Sequence, residues 1–381
     1  MSERLLQKIW AKGDFRSDEL RVEEGPVLKI LSPGKWNLSE EGPDFRAARL
    51  ELDGKPIVGD VEIHFRVSDW RNHGHHENPA FKRVALHVVL FPPSAGERKA
   101  PATVSSGFRP PTLVLLPLLH ESLEEYAERD AMKALSSPHA HEAFADWLEL
   151  PLQERGSKLL ALARERWERK LKAARRRLKA PAATWPEACH QVVMEILGYR
   201  RNRTPMANLA QRHSLAKLVA KGGHADALYL EEASAWKLNA VRPANHPKIR
   251  LNQYLNLVQK RPEWPERLAA VEPFHSKQEN PSRKALKLRT LKQLLSEDVL
   301  ANQLGGTRLD TLITDGFLPL LAARSNNDLF PHWRHWYPGD APPQLKTFLK
   351  QIELITPRGP EHCSNGLLQG ALQLFINRES L

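Results

Sequence analysis

The stretch GPDFRAARLELDGKPIVGDVEIHFRVSDW, residues 42–70, decides the fold. Ala48, Leu50 and Leu52 alternate with Arg49 and Glu51, the two-residue period of a strand with one buried face. Asp53-Gly54-Lys55 is the chemistry of a tight hairpin turn. Beyond it Ile57, Val61, Ile63, Phe65 and Val67 share one face, while Asp60, Glu62, His64 and Arg66 share the other. Gly59 inside this strand predicts a bulge or the close approach of another backbone. The polar row has two readings: a solvated strand face, or an acidic centre for a divalent cation.

Working outward, ERLLQKIWAK places Leu5, Leu6, Ile9 and Trp10 on one helical face. PVLKILSPG is a short strand closed by Ser-Pro-Gly. VALHVVLF is almost continuously apolar, as in a central strand covered on both sides, and TLVLLPLL suits one more strand. Between them, SDWRNHGHHENPAFKR is a polar loop with a helical turn from Asn78. From Glu121 the chain is helical. The expected division is an α/β domain at 1–120, a helical linker region with a long basic helix at 121–180, and a helical domain at 181–381.

Cleavage of a phosphodiester by a hard divalent cation needs converging oxygen ligands and a neighbouring base or cation. Asp44 begins one strand and Glu62 lies late in the next. A hairpin centred near residue 54 brings early positions of the first strand beside late positions of the second. His64 follows Glu62 on the same face.

These residues resemble the PD-(D/E)XK nuclease superfamily: Pro43-Asp44, a spacer, then Glu62-Ile63-His64, on an αβββαβ element order with a mixed sheet. The resemblance implies Asp44 and Glu62 as ligands of Mg²⁺ or Mn²⁺, with His64 in the place of the superfamily's lysine. An imidazole there serves as a water-activating base, as a further ligand, or marks a site that binds without cutting. A second resemblance covers longer blocks. PGKWNLSEEGPDFRAARL, GDVEIHFRVSDWRNHGHH, VALHVVL and VRPANHPKIRL are similar to a bacterial family called domain of unknown function 2851, whose name implies no activity.

The chain of 381 residues carries a net charge of +11 with a mean hydropathy of −0.49, so a polyanionic partner, nucleic acid first, is expected. Nucleic-acid contacts are expected from Arg66, Trp70, Arg71, His73 and His75, and from Arg175, Arg176 and Arg177 on the helix at 154–180, where eleven Lys/Arg face three Glu. The same helix also reads as an ordinary solvated charged face. Arg200–Arg203 is a second basic candidate, and Arg242 with Asn245 a candidate cleft lining. His73, His75 and His76 read either as a metal cluster or as a polar loop, and His87 as a core histidine. Cys189 and Cys363 form no ligand pattern, and neither a Walker loop nor a GxGxxG turn calls for a nucleotide cofactor. No run reaches the ~20 apolar residues of a membrane span, and the opening MSERLLQKIWAKGDF is no secretory signal, so a cytoplasmic protein is expected. Three functions follow as expectations: a metal-dependent nuclease on DNA or RNA, a catalytically inactive nuclease-fold scaffold for nucleic acid or a protein, or a regulator that docks an acidic partner.

Overall fold

Asp53 and Gly54 both have positive φ (46° and 78°), the twist that a two-residue hairpin turn requires. They join β3 (Phe45–Leu52) to β4 (Lys55–His64). The structure, a computed structural model, describes residues 3–38, 41–135, 146–181, 183–238, 241, 243–271, 281–339, 342–355 and 363–378. It divides into two compact units, Met1–Ala127 and Glu128–Glu379.

In the first unit α1 (Glu3–Lys12) is followed by β1 (Leu28–Ser32) and β2 (Lys35–Trp36), then the hairpin. After it come α2 (Asp69–Asn72), β5 (Val84–Val89), α3 (Ala95–Lys99) and β6 (Thr112–Val114). The sheet order is β1-β3-β4-β5-β6, with β2 pairing on β3. Its β1, β2, β3 and β4 pair antiparallel, while β4, β5 and β6 pair parallel, giving the expected mixed sheet. Every residue of β5 is buried, as its unbroken apolar run requires. Leu5, Leu6, Ile9 and Trp10 of α1 are buried, and α1 packs against β4.

A β-bulge interrupts the hairpin. Leu52 pairs with Lys55 and Ala48 with Gly59, a register that would set Phe45 opposite Glu62. Phe45 instead faces Val61, because Arg46 and Ala47 together stand opposite Asp60. Ala47 takes a φ of 54° to accommodate the extra residue. The slip keeps Phe45, 1% exposed, on the core face with Val61, and carries Asp44 opposite Glu62.

Among its described residues the second unit is helical apart from its connections. It opens on the end of α4 (Leu123–Leu135), then α5 (Leu152–Leu178), which packs along the C-terminal helix Asn365–Arg378. A Cβ at Gly370 would overlap the carbonyl of Leu159, so this crossing needs glycine. Trp264, Trp333 and Trp336 are wholly buried in its core. Among the described residues no helix is long and apolar enough to cross a membrane.

Gly59 shows why β4 and β5 approach so closely. A Cβ there would overlap that of Ala85 and lie 2.9 Å from the carbonyl oxygen of Arg83. Both obstacles belong to the backbone or its first carbon, so Gly59→Ala is expected to cost about 1–3 kcal/mol. Amide hydrogen exchange in β4 and β5 should then accelerate about ten- to a hundredfold; unchanged rates would contradict the crowding.

Candidate metal centre

The polar face of β4 is buried. Asp60, Glu62 and His64 are 7%, 6% and 1% exposed, which removes the solvated-face reading. Their roles differ. The Asp60 carboxylate accepts from the Ala47 amide at 2.9 Å, inside the bulge, and its own amide donates to Arg83. Asp60 therefore holds the register that the centre needs.

Asp44 and Glu62 are neighbours bound through each other's strands. Asp44 N–H donates to Glu62 Oε2 at 2.9 Å, and Ile63 N–H donates to Asp44 Oδ2 at 3.0 Å. Gln7 of α1 donates to Asp44 Oδ1 at 2.6 Å. Burial is the main force raising the Asp44 carboxyl well above the usual range, and the charge on Glu62 adds to it. Glu62 is raised likewise by burial, opposed by its bond from the Asp44 amide. Glu3 on α1 adds repulsion to both. Its own carboxyl is raised by burial and held by the Phe65 amide.

Glu3 and Gln7 were not singled out from sequence. They stand one helical turn apart on α1, a spacing that surface pairs share, and the hairpin partner that gives them meaning is distant in the chain.

The other carboxylate oxygen of Glu62 meets histidines. Oε1 lies 3.1 Å from His75 Nε2 and 3.5 Å from His64 Nε2. His64 Nε2 also lies 3.2 Å from His73 Nδ1, and its Nδ1 is 2.9 Å from His87 Nε2. His64, His73 and His75 each bring a ring nitrogen within 4.8 Å of the others. Burial lowers His64 to about 2, His75 to about 4 and His87 to about 3, so these rings are neutral near pH 7.

Several expected roles change here. His64 is 1% exposed, and its ring nitrogens stand beside His87, His73 and Glu62. Trp70 does not stack a base: it is 0% exposed, donates to the carbonyl of Thr103 and packs edge-on to Phe81, His75 and His87. His75 is half-buried, its ring stacked on Phe81 at 3.8 Å, and it faces inward to Glu62. His76 departs from the histidine group and pairs with Glu77. His87 is a core histidine as expected, 0% exposed, and its ring partner is His64. Arg66, Arg71 and His73 are exposed, with Arg66 lying over the Phe91 ring.

On α5 most cations already have partners within the second unit. Arg177 pairs with Glu195 at 2.6 Å. Arg175 reaches Asn326, Lys170 pairs with Asp315, Arg164 with Asp328 and Arg166 with Glu128. Arg176 is exposed. Arg242 and the side chains of Arg200 and Arg201 lie outside the described residues.

The bulge gives a direct test. Removing the acceptor in Asp60→Ala is expected to cost about 1–3 kcal/mol and to accelerate exchange at the Ala47 amide. The same variant should loosen Asp44 from Glu62, read as lost protection at Asp44 N–H. Retained protection at both amides would show that the bulge stands without Asp60.

No curated protein and no solved structure matches the chain. The model of the family described as "Protein of unknown function (DUF2851)" matches residues 3–233, a span that includes α1, the whole sheet, the carboxylates and the histidines. Since the match covers more than half of the sequence, the chain belongs to this family.

Proposed function

We propose that the first unit is a PD-(D/E)XK nuclease-like domain that hydrolyses phosphodiester bonds in cytoplasmic DNA or RNA with Mg²⁺ or Mn²⁺. One observation carries this reading: Asp44, half-buried, and Glu62, buried, are held side by side by reciprocal backbone bonds. Two carboxyls with a third, Glu3, close by repel one another when ionised, and a divalent cation relieves that repulsion. The donor set is oxygen-rich, as a hard cation requires. Bound there, the ion would supply Lewis-acid activation of the phosphoryl oxygen and of a water.

The chain's own residues have distinct tasks in this reading. Gln7 and the Ile63 amide orient Asp44, and the Asp44 amide orients Glu62. Arg66, Arg71 and His73, exposed beyond the end of β4, suit contacts with phosphates. Arg176 offers a further phosphate contact on the second unit.

A second reading has its own support. His64 stands where the superfamily carries lysine, and both oxygens of Asp44 already accept hydrogen bonds. That arrangement fits a scaffold that binds nucleic acid or a protein without cutting.

Incubation of the full chain with single- and double-stranded DNA and with RNA separates the two. Cleavage is expected with Mg²⁺ or Mn²⁺, abolished by chelator and reduced at least ~100-fold by Glu62→Gln with the circular dichroism unchanged. Binding with steep salt dependence but no cleavage in either metal would overturn the enzyme and favour the scaffold.

A further inference from the structure

We propose that His64, His73 and His75, with Glu62 Oε1, form a site for one first-row transition-metal ion of the zinc type. This goes beyond the phosphodiesterase reading, which calls only for oxygen ligands and a hard cation.

Three of the distances are those between neighbouring ligand atoms of a coordination shell. Zinc–nitrogen and zinc–oxygen bonds near ~2.05 Å put neighbouring ligand atoms of a tetrahedron roughly 3.3 Å apart. His64 Nε2 to His73 Nδ1 is 3.2 Å, His75 Nε2 to Glu62 Oε1 is 3.1 Å, and His64 Nε2 to Glu62 Oε1 is 3.5 Å. These are three edges of such a figure. Of the other three of the six edges, His64–His75 and His73–His75 keep their ligand atoms within 4.8 Å.

The hydrogen bonding points the same way. His75 Nε2 is buried and close to Glu62 Oε1, yet the two lack hydrogen-bond geometry. Two polar atoms that approach closely without bonding to each other are placed as ligands aimed at a shared point would be. His64 has a supporting partner, since its Nδ1 lies 2.9 Å from His87 Nε2. The tautomer in which His64 Nδ1–H donates to His87 leaves the Nε2 lone pair facing His73 and Glu62.

The scaffold fixes the rings. His75 is stacked on Phe81 at 3.8 Å and lies parallel to His64 at 5.1 Å, with Trp70 closing its edge. Gly74, at a φ of 74°, turns the chain between His73 and His75 so that both reach one point. The amides of His73 and His75 are tied back to Asp69 and Trp70 of α2. Three imidazoles and one carboxylate oxygen select zinc, cobalt or nickel over magnesium or calcium.

The test uses the full, untagged chain stripped of metal and titrated with Co²⁺, whose visible absorption reports tetrahedral nitrogen coordination. One equivalent should produce an intense visible band, displaced by Zn²⁺ and untouched by excess Mg²⁺. His73→Gln and His75→Gln should each weaken Co²⁺ binding at least ~10-fold, while His76→Gln leaves it unchanged. His73 is exposed, so its variant is expected to fold and carries the test even where His75→Gln does not. Absence of a stoichiometric band, or a band indifferent to both substitutions, would overturn the site. Cleavage of nucleic acid with Mg²⁺ but no such band would sink this site and leave the nuclease reading standing. A band without cleavage would do the reverse.

Discussion

A single hydrogen bond inside the β3–β4 hairpin governs everything that follows it: Asp60 Oδ1 accepting from the amide of Ala47. It satisfies the donor that the extra residue leaves out of the ladder, and so keeps a bulge in an otherwise regular hairpin. Because strand side chains alternate, a slip of one residue decides which face each of them occupies. With the bulge, Phe45 enters the core and Asp44 stands by Glu62. Without it, the apolar ring would meet the carboxylate and the acidic pair would be separated. A buried carboxylate serving the backbone thus determines where Asp44 and Glu62 meet.

The site combines groups of opposite electrostatic tendency at little distance. Burial drives carboxyls toward their neutral, protonated form and imidazoles toward their neutral, lone-pair form. Asp44 and Glu62 are raised and His64, His75 and His87 lowered by the same loss of water. Isolated, such groups are costly to enclose. The chain limits that cost by giving the carboxylates backbone donors and by letting His64 and His87 bond to one another. Aromatic packing supplies the rest: Trp70 and Phe81 belong to one buried cluster with Val84, Ala102 and Val104, and the histidine rings are fixed against it.

Local periodicity made much of the sheet legible. The alternation of Ala48 and Leu50, the Asp-Gly turn and the apolar run of β5 all appear in the structure where their spacing places them. Gly59 signalled a close approach, which Ala85 supplies. The bulge itself was hidden, since it falls at Arg46 and Ala47 and alanine gives no hint of positive φ. Trp70 was misleading for another reason. Its neighbours in sequence are polar, whereas its neighbours in space are Phe81 and three histidine-bearing segments. The cations of α5 showed the same limit: charge is visible in a sequence, but the carboxylates that Arg177 and Lys170 reach are contributed by other helices. Glu3 and Gln7 joined the centre only through packing of α1 on β4.

Glu62 stands between the two flanks of the site. Its Oε2 accepts from the Asp44 amide on the acidic side, and its Oε1 faces His64 and His75 on the other. The carboxylate is planar, so fixing one oxygen on a backbone amide fixes the direction of the second. The bulge that sets Asp44 opposite Glu62 therefore also aims Oε1 at the histidines. Oxygen donors gather on one flank and nitrogen donors on the other. The register of one hairpin thereby sets an oxygen-rich flank and a nitrogen-rich flank on either side of a single side chain.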